Sequence, residues 1–175
     1  LVSRQFTAQD IRDLLGKLDV ELQRQGRAAT IFVVGGAAMA LAYRADRVTD
    51  DIDGIFEPRD VVLEAAAVVA VQNGLQKYWL SDGVSQLMPP VPDDHPRTER
   101  IGPALTLEVA SPQYVLAMKA VASRQSAGDR EDAATLCRLI GIRTQGQLEA
   151  VVNRYFPGGQ FGAQELFFER IIDSI

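Results

Sequence analysis

The chain is poor in the residues that build disulfides and transition-metal centres. Of its 175 residues one is cysteine, one histidine and one tryptophan. Cys137 alone excludes an internal disulfide and a cysteine-built zinc site. His95 alone excludes a metal site made from two histidines. Positive charge is in the minority, 18 Lys and Arg against 23 Asp and Glu, for a net charge of −5. That balance argues against coating nucleic acid through bulk electrostatics and leaves room only for a local basic path. No apolar run reaches the roughly 18–20 residues of a membrane span. No charged-then-apolar leader is visible, so a cytoplasmic protein without a membrane partner is expected. With 47% hydrophobic residues, the chain is not disordered or collagen-like. Its length fits one domain, or one core with a small helical appendage.

Residues 7–25 read as an amphipathic helix, with Thr7 and Asp10 as a capping-box variant and Ile11, Leu14, Leu15, Leu18 and Leu22 as its apolar stripe. Thr30 to Val34 is a short β-branched run that ends at Gly35-Gly36, and Ala37 to Tyr43 favours helix. A strand is expected over Thr49 to Phe56, a helix over 59–73 stopped by Gly74, and loops over 75–100 with a strand near Tyr78-Trp79-Leu80. Ala104 to Ala110 alternates as a strand on which Thr106 and Glu108 share a face. Ser111-Pro112 opens a helix to about Arg124. Further helices are expected at about 129–140, after the Thr144/Gln147 capping box, and around Phe168 to Ile175. The expected class is α+β: a small mixed-sheet core over 1–110, with a helical C-terminal part over 111–175 packed on it.

Two constellations carry chemistry. In the first, Gly35-Gly36 lies between a strand and a helix, where backbone can approach an anion closely. It is followed by Asp51 and Asp53, which on one strand would share a face about 6.5–7 Å apart at Cα. Such a pair can converge on one divalent ion or bridge two. Asp46, Asp50, Asp51, Asp53, Glu57 and Asp60 face only Arg47 and Arg59 in this stretch, and mutual repulsion opposes that density unless a cation binds. The blander alternative is a tight turn and a solvated acidic loop.

In the second constellation, Lys119 is the only charged residue between Pro112 and Ser123. A helix apolar on nearly all sides is buried, so its lysine either snorkels or needs a partner. Asp129 and Asp132, which lead the apolar face of the next helix, are the candidates, although capping explains part of their placement. Glu108 would be a third carboxylate if its strand neighbours the aspartate strand.

The stretches Phe32-Val33-Val34-Gly35-Gly36-Ala37-Ala38 and Arg47-Val48-Thr49-Asp50-Asp51-Ile52-Asp53 resemble the GG…RxTxDID signature of the DNA polymerase β-like nucleotidyltransferase superfamily, in particular its AbiEii/MenT-type toxins. Tyr78 to Asp82, Leu107 to Lys119 and Gly128 to Asp132 follow in the order of that group's later motifs. The likeness covers roughly residues 30–140. Gly36 stands where many members place serine, and Gly128 stands where the last motif begins with a basic residue.

The resemblance implies transfer of a nucleotide from an NTP to an RNA 3′ end, typically tRNA, with release of pyrophosphate. It also implies a cognate antitoxin. Asp51 and Asp53, joined by Glu108, would hold Mg²⁺ or Mn²⁺. Gly35, Gly36, Arg47 and Thr49 would bind substrate. Lys119 would neutralise charge on the triphosphate tail, and Asp129 or Asp132 would orient Lys119 or touch substrate. Arg44, Arg47, Lys119, Arg124, Arg130, Arg138 and Arg143 would form the RNA path. Thr49, two residues before the first metal aspartate, matches a position at which such toxins are silenced by phosphorylation, which would add roughly −1.5 to −2 charge there. Two other classes stay open: transfer to a small molecule or a protein side chain, and a catalytically silent binding module of the same fold.

Overall fold

The computed structural model describes residues 4–175. It is an α+β protein in which five strands form one mixed sheet and helices make up most of the remainder. The chain divides into two compact units. The first comprises residues 1–86 and 96–110, and the second residues 87–95 and 111–175.

The first unit begins with α1 (Ala8–Arg24), capped at Thr7 by the reciprocal bonds with Asp10 that the sequence suggests. Strand β1 (Ala29–Val33) runs into α2 (Gly35–Ala38), which continues as a turn of π-helix over Met39–Tyr43. Then follow β2 (Ile52–Glu57), α3 (Arg59–Asn73) and the two-residue β3 (Leu80–Ser81). Strands β4 (Arg97–Arg100) and β5 (Leu105–Val109) complete the sheet in the order β3-β2-β1-β5-β4. The pairs β1/β5 and β2/β3 are parallel, and β1/β2 and β4/β5 are antiparallel.

Alternation along the strands makes the two faces of this sheet unlike. One carries Ala29, Ile31, Val33, Ile52, Phe56, Leu105, Leu107 and Val109, all buried, and α1 and α3 pack together on that side. The other carries Thr30, Phe32, Asp53, Ile55, Thr106 and Glu108, none of them buried.

Two features of this unit depart from the sequence reading. Residues 97–100, expected as loop, form the edge strand β4. Asp19, on the apolar side of α1, is only 5% exposed. Its carboxylate accepts the N–H groups of Ala104 and Leu105 at 2.8 Å each, fixing the chain as it enters β5. A bonded carboxylate of this kind satisfies two buried donors at once.

The second unit holds α4 (Pro112–Val121), α5 (Ala127–Ile140), α6 (Gln145–Tyr155) and α7 (Glu165–Asp173). Ser111 caps α4, with Pro112 at its first position. The helix ends three residues short of the expected Arg124. Helix α5 starts two residues earlier than expected because Ser126 and Asp129 form a capping box. Residues 87–95, read from the sequence as part of the 1–110 core, belong with these helices. Asp93 accepts the backbone N–H of Ser111 at 2.6 Å and its hydroxyl at 2.8 Å, and Asp94 pairs with Arg154 at 2.9 Å. Both phenol rings of Tyr114 and Tyr155 are buried, in edge contact at 5.3 Å.

Candidate active site

In the first unit the turn after β1 is built by two glycines for two different reasons. Gly35 has φ of +61°, a left-handed conformation that side chains disfavour. Gly36 is short of space: a Cβ there would stand 2.8 Å from Thr49 Oγ1 and 3.2 Å from Thr49 Cβ, with Arg47 Nη2 at 3.7 Å. Thr49 is itself fixed, its backbone exchanging hydrogen bonds with Phe6 at 2.7 and 3.0 Å. Its hydroxyl donates to the Asp51 carbonyl at 3.0 Å. Arg47 donates to the Val48 carbonyl. Gly35, Gly36, Arg47 and Thr49 therefore form one local cluster, brought together by the return of the chain from the π-helical turn.

The aspartates adjoin that cluster. Val34 N–H donates to the Asp53 carbonyl at 3.0 Å, which places Asp53 beside the glycine turn. Only Asp53 lies in β2; Asp51, expected on the same strand, sits in the bend just before it. The two carboxylates still sense each other. Burial raises the Asp53 carboxyl to about 6, and the neighbouring charge of Asp51 adds to the shift. Asp51 is raised too, by burial first and by Asp50 second. Half-buried like charges held close to one another favour a cation, and displaced titrations of this kind concentrate at functional sites.

Glu108 does not join them. Its strand pairs with β1, and β1 lies between it and β2. Glu108 is level with Phe32, and Phe32 with Ile55. That puts Glu108 two strands across and two residues along from Asp53, on the order of 12 Å at Cα. The sequence left its role conditional on neighbouring strands, and the sheet order does not meet the condition. Among the described residues no group of three histidine, cysteine or acidic side chains is gathered as a metal site.

The residue that does stand beside Asp53 is Ser81 of β3, its direct register partner, about 4.8 Å away at Cα. Its oxygen accepts the Gly83 N–H at 3.1 Å, which leaves the hydroxyl proton to donate. The sequence included Ser81 in a motif but gave it no role, because parallel pairing across 28 residues has no local signature.

In the second unit Lys119 is 8% exposed and lies between two carboxylates, Asp129 at 3.0 Å and Asp132 at 2.9 Å. The sequence left open which aspartate is the partner, and the ammonium meets both. Asp132 is fully buried. For Asp129, burial opposes the charged form. Hydrogen bonds from Ser126 and the Lys119 charge outweigh it and hold the carboxyl below its usual range.

The remaining rare residues are structural. Trp79 is buried and donates to the Ala66 carbonyl at 3.0 Å. His95 is exposed in a loop beside Asp94. Cys137 is buried, with its thiol pushed up to about 11 by that burial, which makes it unreactive. No helix of the described residues is long and apolar enough to cross a membrane. No family model, no curated protein and no solved structure matches the chain.

Proposed function

We propose that this chain is a metal-dependent nucleotidyltransferase that moves an NMP from an NTP to an RNA 3′ end, with tRNA as acceptor and an antitoxin as cognate partner. The observation that carries the reading is the glycine turn set against two half-buried aspartates whose carboxyls are held above their ordinary range.

The donor set suits a hard cation. Two carboxylates, with no group of three gathered among the described residues, match the way Mg²⁺ is usually held, by one or two carboxylates together with substrate phosphates and water. Asp51 and Asp53 would be the residues that hold it. A bound Mg²⁺ or Mn²⁺ would supply charge neutralisation at the attacking and leaving oxygens. Open space lies where a Cβ at Gly35 would stand, so a phosphate chain can approach the backbone of the turn on that side. Thr49 orients the Asp51 carbonyl, and Ser81 holds a hydroxyl proton level with Asp53. The resemblance gives Lys119 the triphosphate tail; in the second unit its ammonium lies 3.0 Å from Asp129 and 2.9 Å from Asp132. Catalysis on this reading is positioning and electrostatics, without a covalent step on the protein.

The test is incubation of the chain with Mg²⁺ and each α-labelled NTP, with and without total tRNA. Asp51→Asn, Asp53→Asn and Ser81→Ala serve as comparisons. Label should pass to RNA with one NTP preferred, disappear in both aspartate variants, and weaken with Ser81→Ala. Label unchanged in the aspartate variants, or no consumption of any NTP, refutes the proposal. Label on a small molecule or on protein instead would keep the chemistry and change the acceptor.

A further inference from the structure

Away from these residues, the start of α5 and the side of α7 enclose a small hollow. It is lined by Gln125, Ser126, Ala127, Arg130, Phe167 and Arg170. Two guanidinium groups from two helices thus share one concavity. Five arginines elsewhere sit beside carboxylates, Arg12 with Glu99, Arg24 with Glu21, Arg44 with Asp46, Arg59 with Asp82 and Arg154 with Asp94, while Arg100, Arg138 and Arg143 donate to carbonyls. The guanidinium groups of Arg130 and Arg170 make no ion pair or hydrogen bond among the described residues; their hydrogen bonds are those of the backbone, Arg130 N–H to the Ser126 carbonyl and the Ser174 hydroxyl to the Arg170 carbonyl.

The other polar groups of the hollow do not supply the missing negative charge. Ser126 donates its hydroxyl to Asp129 at 2.7 Å, and its oxygen accepts the Asp129 N–H at 3.0 Å. The Asp129 carboxylate is occupied by Ser126 and Lys119. Phe167 is buried and can neither accept nor donate. Arg130 is half-buried and Arg170 exposed, and no carboxylate is among the residues that line the hollow with them. A tetrahedral phosphate, whose oxygens accept paired N–H groups from guanidinium forks, fits this donor set better than a point anion such as chloride.

We infer that the hollow between α5 and α7 is a phosphate-binding site, in which Arg130 and Arg170 clasp one phosphate group. The inference does not depend on nucleotidyl transfer. The phosphate can be free or part of an RNA backbone, and the two sources separate experimentally.

Isothermal titration of the full chain with inorganic phosphate, and separately with a short single-stranded RNA, tests it on wild type, Arg130→Gln, Arg170→Gln, the double variant and Arg97→Gln. Each single hollow variant should weaken binding about ten-fold, and the double variant should abolish it. Arg97→Gln removes one exposed charge from the edge strand of the other unit and should leave binding unchanged. Tighter binding of the RNA assigns the site to a backbone phosphate; binding of inorganic phosphate alone assigns it to the free anion. Neither hollow arginine has an ion pair to lose, so melting temperatures should stay at the wild-type value and report intact folding. No binding of either probe, undiminished binding in the double variant, or equal weakening by Arg97→Gln overturns the inference.

Discussion

The chain carries two pairs of neighbouring aspartates, and the two units treat them in opposite ways. Asp51 and Asp53 are half-buried beside one another, and their carboxyls are held above the ordinary range. Asp129 is half-buried like them and Asp132 fully buried, yet a lysine ammonium lies within 3.0 Å of each, and Asp129 is held below its ordinary range. Burial acts on Asp129 as it does on Asp51 and Asp53, so it does not decide the sign; at Asp129 the hydrogen bonds from Ser126 and the charge of Lys119 do. The second pair is complete in the protein alone. The first is the pair to which the proposed Mg²⁺ is assigned.

The largest expected effect comes from making the second pair like the first. Lys119→Met removes the ammonium from a fully buried Asp132 and should cost about 3–5 kcal/mol, read as a lowered urea midpoint. Adding Asp132→Leu should recover most of that loss, because an apolar replacement carries no stranded charge. A neutral Lys119→Met would mean that the ammonium contributes nothing to the pair.

Asp129→Asn is a smaller perturbation, since Lys119 keeps Asp132. It should cost about 1 kcal/mol at pH 7 through the weakened bonds to Ser126 and Lys119. The sign with pH follows from a folded-state pKa that is lowered. The stability Asp129 contributes is present above the unfolded carboxyl value and lost as pH falls through the folded one. The gap between wild type and variant should therefore close in acid. A gap that stays constant down to pH 2 would contradict the assigned charge.

Asp53→Asn should act in the opposite direction. Its carboxyl titrates at about 6 in the folded protein, so ionisation costs stability as pH rises from roughly 4 to 6. In chelator at pH 7.5 the variant should melt above wild type, with the difference closing toward pH 4. Added Mg²⁺ should raise the melting temperature of wild type and not of the variant. A variant that melts below wild type in chelator would place Asp53 with the satisfied pair.

How far these pairs were legible in the sequence depended on whether the forces involved are local. Lys119 could be singled out because a lone charge in an apolar helix is a local anomaly. The Gly35-Gly36 turn and the caps at Thr7, Ser111 and Thr144 were readable for the same reason. Glu108 was not, because its role rests on strand order, and nothing in the chain says that β1 will lie between β2 and β5. Strand β4 escaped because Arg-Thr-Glu-Arg has no apolar alternation; pairing with β5 alone makes it a strand. Asp19 was hidden inside an apolar helical stripe, and its reason for burial, two N–H groups some 85 residues away, is wholly non-local. Ser81 was overlooked for a similar reason.

Positions 36 and 49 share one small volume, and the consequence reaches beyond this molecule. The side chain of Thr49 fills the space that a Cβ at position 36 would need, so the two sites cannot vary independently. A lineage that carries serine at 36 must carry a smaller residue at 49, and one that acquires threonine at 49 is held to glycine at 36. The single hydroxyl this corner can hold has been placed on the strand side of the turn rather than on the helix side. In an alignment of true relatives the two columns should therefore change together, and a chain with bulk at both positions would have this turn rebuilt.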